Sequence, residues 1–253
     1  VDSRIGIFGA SSSGKSWLAG LITEELFKKG YQFCIVDPEG DYRGVASSTH
    51  GLSINVTDEY VPSISELMNF MEWHGANMVV DMSGYKPEAQ PAFLEELLYS
   101  LRGLRQRRGR PHWLLIDEIQ NFCPPEGGEL TDLLLASMQE GQGVGMVSYR
   151  PTQVAPQLLQ SLDHWLLTRM GAPEELEQLL PYLTNFPEGA EVIQQLPVSP
   201  IGQAFLCSHT YRPITAQTSG PIRFQPGARS FPHSRHLHKY LRAALPPPKR
   251  FYF

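Results

Sequence analysis

With 253 residues, of which 42% are apolar and 19% charged, the chain has enough apolar residues for a substantial core and falls outside the disordered and fibrous classes. No apolar run approaches the ~20 residues that span a bilayer, and Cys34, Cys123 and Cys207 are too scattered for a disulfide framework or a zinc cluster. The net charge of −5 conceals a split: every Asp and Glu precedes Gly220, whereas Arg223, Arg229, Arg235, Lys239, Arg242, Lys249 and Arg250 follow it.

The first element is a strand over Ile5–Phe8, which runs directly into Gly9-Ala10-Ser11-Ser12-Ser13-Gly14-Lys15-Ser16, a fit to G-x-x-x-x-G-K-[ST]. Gly9 and Gly14 permit a tight loop whose backbone N–H groups converge on phosphate oxygens as a helix begins. Lys15 would reach the β- and γ-phosphates of ATP, and Ser16 would hold Mg²⁺. Ala10, Ser11, Ser12, Ser13 and Trp17 complete the expected nucleotide-binding stretch. The helix runs over Gly14–Lys29, with Gly30 as its C-cap.

A second strand, Phe33–Asp37, ends in Val36-Asp37-Pro38-Glu39-Gly40-Asp41-Tyr42. Three carboxylates at a strand's C-terminal end suit either a ligand site or a solvated turn, and the sequence favours neither. A strand over Leu52–Val56, a helix over Ser63–His74 opened by a Ser63/Glu66 capping box, and a strand over Met78–Met82 follow. From Glu88 to Arg108, Phe93, Leu94, Leu97, Leu98, Leu101 and Leu104 recur at helical spacing, and Arg102, Arg105, Arg107, Arg108 and Arg110 crowd the end. Those cations suit a helix C-terminus; the sharper alternative is a basic edge facing DNA or a neighbouring subunit's nucleotide.

His112-Trp113-Leu114-Leu115-Ile116-Asp117-Glu118 is an apolar run ending in adjacent carboxylates, the Walker B pattern. Asp117 would support the Mg²⁺, and Glu118 would polarise a water for attack on the γ-phosphate. A helix over Leu130–Gln139 leads to a strand over Val144–Ser148 and then Tyr149-Arg150-Pro151. Ser148 at that tip would sense the γ-phosphate and orient the water, and Arg150 would add positive charge in the transition state.

These stretches resemble the HerA/FtsK-type P-loop ATPases, hexameric ring motors that move along DNA. The resemblance rests on Gly9–Ser16, Val36–Tyr42, Leu115–Pro124, Gln139–Gly145, Ser148–Pro151, Gly202–Phe205 and Tyr211–Pro213, and covers about residues 4 to 217. The Pro-Glu-Gly-Asp-Tyr turn favours the HerA branch. The resemblance implies a RecA-like α/β core, a mostly parallel sheet with helices on both faces, and a Walker B strand set away from the P-loop strand. It further implies a nucleotide held between subunits of a homohexamer, ATP hydrolysis coupled to movement on double-stranded DNA, and a partner nuclease or other effector. The chain departs from the family at Gln142 and Tyr149, where Arg and Gln are usual; Arg102, Arg105 or Arg110 could replace the missing arginine.

After a strand over Asp163–Met170 and helices over Pro173–Tyr182 and Phe186–Gln195, Gly202–Ser208 and Tyr211–Gln217 read as a closing hairpin. Residues 1–219 are thus expected to form the ATPase domain. Residues 220–253, rich in Pro, His, Arg and aromatics, form an extended basic arm with one short helix near His236–Ala244. The expected setting is the reducing cytoplasm, with no membrane contact, because no signal-peptide pattern precedes the first strand. Two other functions share the motifs: a P-loop kinase of a small molecule or polynucleotide end, with Asp37 as base, and a weakly hydrolysing, nucleotide-gated assembly scaffold.

Overall fold

The computed structural model describes residues 3–186, 189–208 and 214–217. Strand and helix alternate through β1 (Arg4–Phe8), α1 (Lys15–Lys28), β2 (Phe33–Asp37), α2 (Arg43–Ser48), β3 (Leu52–Thr57), α3 (Ile64–Met71) and β4 (Met78–Gly84). They continue through α4 (Gln90–Arg108), β5 (Trp113–Ile116), α5 (Glu129–Gln139), β6 (Gly143–Ser148), α6 (Pro156–Gln160) and β7 (His164–Thr168). Helices α7 (Pro173–Leu183) and α8 (Gly189–Gln195) precede β8 (Gln203–Ser208) and β9 (Ile214–Gln217).

The strands form one sheet in the order β3-β4-β2-β5-β6-β1-β7-β8-β9. From β3 to β7 every neighbour is parallel, as helical crossovers require, and β8 and β9 add an antiparallel edge. Both faces are covered, so the central strands are apolar on both sides. Phe33 and Ile35 of β2 and Trp113 and Leu115 of β5 point into one core with Leu18, Ile22 and Leu26 of α1. Their alternates, Cys34, Val36, Leu114 and Ile116, point into the other with Leu94, Leu97, Leu101 and Leu104 of α4. Truncating one of these leucines to Ala is expected to cost about 2–5 kcal/mol.

The mostly parallel α/β sheet expected from the motifs is therefore present, and β6 separates the P-loop strand β1 from the Walker B strand β5. Helix α1 ends in a Schellman arrangement: Gly30 adopts φ 78°, its N–H donates to Phe27 O, and the Tyr31 N–H donates to Leu26 O. The Ser63/Glu66 capping box is formed. Helix α3 stops at Met71 rather than His74, because residues 72–75 have no apolar face to bury and Trp73 is 75% exposed. Two short helices, α2 and α6, had no counterpart in the sequence reading. The arm over 220–253, its short helix, and residues 211–213 of the expected hairpin lie outside the described residues.

Among the described residues, no helix is long and apolar enough to cross a membrane.

Candidate nucleotide site

Three strand tips converge on the P-loop. At the end of β1, a Cβ on Gly9 would lie 1.8 Å from Thr168 Oγ1 and 2.7 Å from Ser13 Oγ, so only glycine leaves room for that clasp. The two hydroxyls bond each other at 2.6 Å, and the Ala10 N–H donates to Arg169 O at 2.8 Å. The tip of β7 thus grips the loop from one side. Gly14 opens α1 in the left-handed region at φ 103°, a conformation glycine adopts without strain. No side chain caps α1, and its first turn holds no acid, which leaves the positive end of the helix to an incoming anion.

Lys15 is the cation of the site and is only 6% exposed. Its Nζ donates to Ala10 O at 3.1 Å and sits 5.9 Å from the centroid of the Tyr149 ring. Burial pulls its pKa down, while the negative charges of Glu118, Asp117, Asp41 and Glu39 oppose that fall. A buried ammonium ion flanked by carboxylates, with a carbonyl as its hydrogen-bond acceptor, is suited to exchange that carbonyl for phosphate oxygens.

Asp117 follows the last residue of β5 and its backbone N–H donates to Val36 O at 3.0 Å, which holds it at the strand tip. It is buried, and burial followed by the charge of Glu118 pushes its carboxyl up to about 8. The fully buried Tyr42 lies beside it, with its hydroxyl short of good hydrogen-bond geometry. Glu118 adopts φ 48°, left-handed for a non-glycine residue. That turn lets the Glu118 N–H donate to Asp117 Oδ1 at 2.9 Å and starts a 3-10 turn over Ile119–Asn121. Glu118 is raised from its usual range by burial, against the pull of Gln120 and Lys15.

Ser148, at the tip of β6, is fully buried and reaches Glu118 only through Gln120. Its Oγ donates to Gln120 Oε1 at 2.6 Å, and Gln120 Nε2 donates to Glu118 Oε2. Arg150 gives its N–H to Ser148 Oγ at 3.0 Å, while its exposed guanidinium lies 5.0 Å from the Tyr149 ring centroid. Lys15, Asp117, Glu118, Ser148 and Arg150 therefore belong to one connected site. Ser11 and Ser12 are exposed, Ser13 is buried in the clasp, and Ser16 is partly buried. Trp17 packs toward the α1-side core, with Nε1 enclosed and unpartnered.

The acidic turn after β2 is organised by Asp37 itself. Its carboxylate accepts the N–H groups of Gly40 (2.8 Å), Asp41 (3.1 Å) and Tyr42 (2.8 Å). Next to it, Asp81, in register with Asp37 on β4, pairs with Arg43 and accepts the Ser83 N–H and hydroxyl. Gln120, Thr168, Arg43 and Asp81 are not singled out by the sequence. The spacing Asp117-Glu118-x-Gln120 was the one signal available for Gln120.

At the other end of β6, Gln142 is 2% exposed, with Nε2 enclosed and unpartnered. The arginines considered as substitutes are engaged within the chain. Arg102 pairs with Glu140, Arg105 donates to Pro111 O and Gly141 O, and Arg110 donates to Glu72 O. They tie the end of α4 and the segment after it to neighbouring turns.

Among the described residues, no group of three or more His, Cys, Asp or Glu side chains is placed to cage a metal. Mg²⁺ needs no such cage, since one or two protein oxygens suffice when phosphates and waters complete its shell. Asp117 and Ser16 fit that pattern.

Residues 1–64 match the family model described as the central domain of the helicase HerA. Beyond that stretch the chain shares its fold with solved structures. The genome-packaging NTPase B204 of Sulfolobus turreted icosahedral virus 2, solved with AMPPCP, superposes with a TM-score of 0.64 at 17% identity, covering 85% of this chain and 96% of B204. VirB4 of Thermoanaerobacter pseudethanolicus gives 0.64 at 14% identity, covering 86% of this chain and 90% of VirB4. The bacterial conjugative coupling protein TrwBΔN70 gives 0.56 at 11% identity, covering 89% and 87%. No curated protein matches the chain in sequence.

Proposed function

We propose that the chain hydrolyses ATP with Mg²⁺ as a HerA-like ring ATPase coupled to translocation of double-stranded DNA, within a DNA-processing or defence complex. The observation that carries this reading is the pairing of a buried Lys15 in an uncapped P-loop with Asp117 and Glu118 at the tip of a strand one removed from it. The loop N–H groups and Lys15 hold the β- and γ-phosphates. Mg²⁺, bound by Ser16 and, directly or through water, by Asp117, would supply the charge that neutralises those phosphates. Glu118 takes a proton from the attacking water as its oxygen bonds to the γ-phosphorus, and the bridging P–O bond breaks toward ADP. Arg150 supplies positive charge near the transferred group. The structural neighbours support the DNA-linked part of the reading, since one is titled a genome-packaging NTPase.

The kinase reading is weakened by Asp37, whose carboxylate already holds three backbone N–H groups and is poorly disposed to activate an acceptor hydroxyl. The scaffold reading draws on Gln142, buried where the family usually has arginine.

Phosphate release measured with and without Mg²⁺ and duplex DNA tests the proposal, together with the particle mass in a non-hydrolysable ATP analogue. The expected outcome is Mg-dependent release that duplex DNA stimulates, from a particle of six copies. Transfer of phosphate to an acceptor would support the kinase instead. Assembly with negligible turnover would support the scaffold.

A further inference from the structure

Gln120 sits where three elements meet, and the direction of its hydrogen bonds is fixed by chemistry. An ionised carboxylate only accepts, so the side-chain NH₂ must face Glu118 Oε2. Oε1 must then face Ser148, whose hydroxyl donates to it at 2.6 Å and keeps its lone pairs for the Arg150 N–H at 3.0 Å. Turning the amide over would set NH₂ against the Ser148 hydroxyl and carbonyl against carboxylate. Every donor in the row thus points toward Glu118, an arrangement in which each bond strengthens the next.

We propose that Gln120 is a positioning residue that occupies Glu118 Oε2, leaves Oε1 to receive the water proton, and couples the carboxylate through Ser148 to the backbone of Arg150. The proposal rests on Glu118 being the water-activating group, as argued above. The left-handed turn at Glu118 makes the arrangement possible, because it starts the 3-10 turn that brings Gln120 back beside β6. Ser148, expected from sequence to sense the γ-phosphate and orient the water, would do so through Gln120. A shift of Arg150 against a ligand pulls on Ser148 and through it on the carboxylate, so the tip of β6 and the water-activating group move together.

The test compares Gln120→Leu, Gln120→His and Ser148→Ala with the wild-type chain in steady-state phosphate release, with and without duplex DNA. Gln120→Leu is expected to lower kcat about fiftyfold while KM for ATP stays within about twofold, since both ends of the amide are engaged by Glu118 and Ser148. Ser148→Ala is expected to lower kcat about tenfold, and the double variant to be no slower than Gln120→Leu alone. Gln120→His keeps a donor for Glu118 and is expected to regain at least about a third of the wild-type kcat. A side-chain amide signal from Gln120 that exchanges slowly, and that loses this protection in Glu118→Ala, reports the bond independently of turnover. A wild-type-like kcat in Gln120→Leu, or losses from Gln120→Leu and Ser148→Ala that multiply, overturns the inference while leaving the ATPase reading intact. A wild-type chain that releases no phosphate overturns both.

Discussion

Two pairs of carboxylates sit at the same end of the sheet, and the chain satisfies them to different degrees. Asp37, at the tip of β2, and Asp81, beside it within β4, have their oxygens taken by the chain: Asp37 takes three backbone N–H groups, which oppose the burial that raises its carboxyl to about 6, and Asp81 takes Arg43 and both donors of Ser83. Asp117 and Glu118, at the tip of β5, have fewer partners. Asp117 accepts one backbone N–H and is driven up to about 8, and Glu118 accepts Gln120 at one oxygen. Folding alone does not favour leaving buried carboxylates so poorly compensated. On the proposed reading, the carboxylate oxygens that the chain leaves unspent at a strand tip are the ones open to chemistry, with the charge of Lys15 acting against them.

Substitutions in the two pairs should therefore separate activity from stability. The largest effect is expected from Asp117→Asn, which should reduce phosphate release at least about a hundredfold by weakening the Mg²⁺ shell. Because it replaces a buried carboxyl that few partners compensate, its thermal midpoint should be no lower than that of the wild type. Asp37→Ala should do the reverse. Three backbone N–H groups lose their acceptor, so urea denaturation should show a loss of roughly 3 kcal/mol, with kcat per folded molecule near wild type. A stable Asp37→Ala, or an unstable Asp117→Asn, would break the comparison.

A smaller effect is expected at Asp81. Burial would raise its carboxyl, but Arg43 and Ser83 outweigh that and hold it below its ordinary value. A folded pKa below the unfolded value near ~3.9 means the stabilisation is complete above that pH and disappears as pH falls through the folded value. Arg43→Ala removes the main opposing force, so its acid-side loss of stability should begin at higher pH than in the wild type. At neutral pH it should cost at most about 1 kcal/mol, since the Arg43 side chain is 61% exposed. Melting curves between pH 3 and 7 measure both parts.

The sheet was legible because its strands are short apolar runs ending in polar residues and its helices carry full apolar periods, as Leu94 to Leu104 of α4 show. Helices α2 and α6 were not, since six and five residues are too few to display a period. Within the site, Lys15, Asp117 and Glu118 stand in contiguous motifs and could be named from sequence. The roles of Gln120 and Thr168 depend on pairings across the sheet: β6 beside β5 sets Ser148 against Gln120, and β7 beside β1 sets Thr168 against Gly9. Asp37 could be noticed but not assigned. Whether its oxygens face a ligand or the following N–H groups is decided by how the turn closes, a matter of backbone conformation that composition leaves open.

On the proposed reading, Glu118 is held incompletely satisfied so that it can take a proton from water. Its most direct test is phosphate release by the wild-type chain and by Glu118→Gln, with Mg²⁺ and saturating ATP, beside binding of a non-hydrolysable analogue. Unchanged binding is expected, with a loss of release of at least about a hundredfold. Release at the wild-type rate by Glu118→Gln would contradict it.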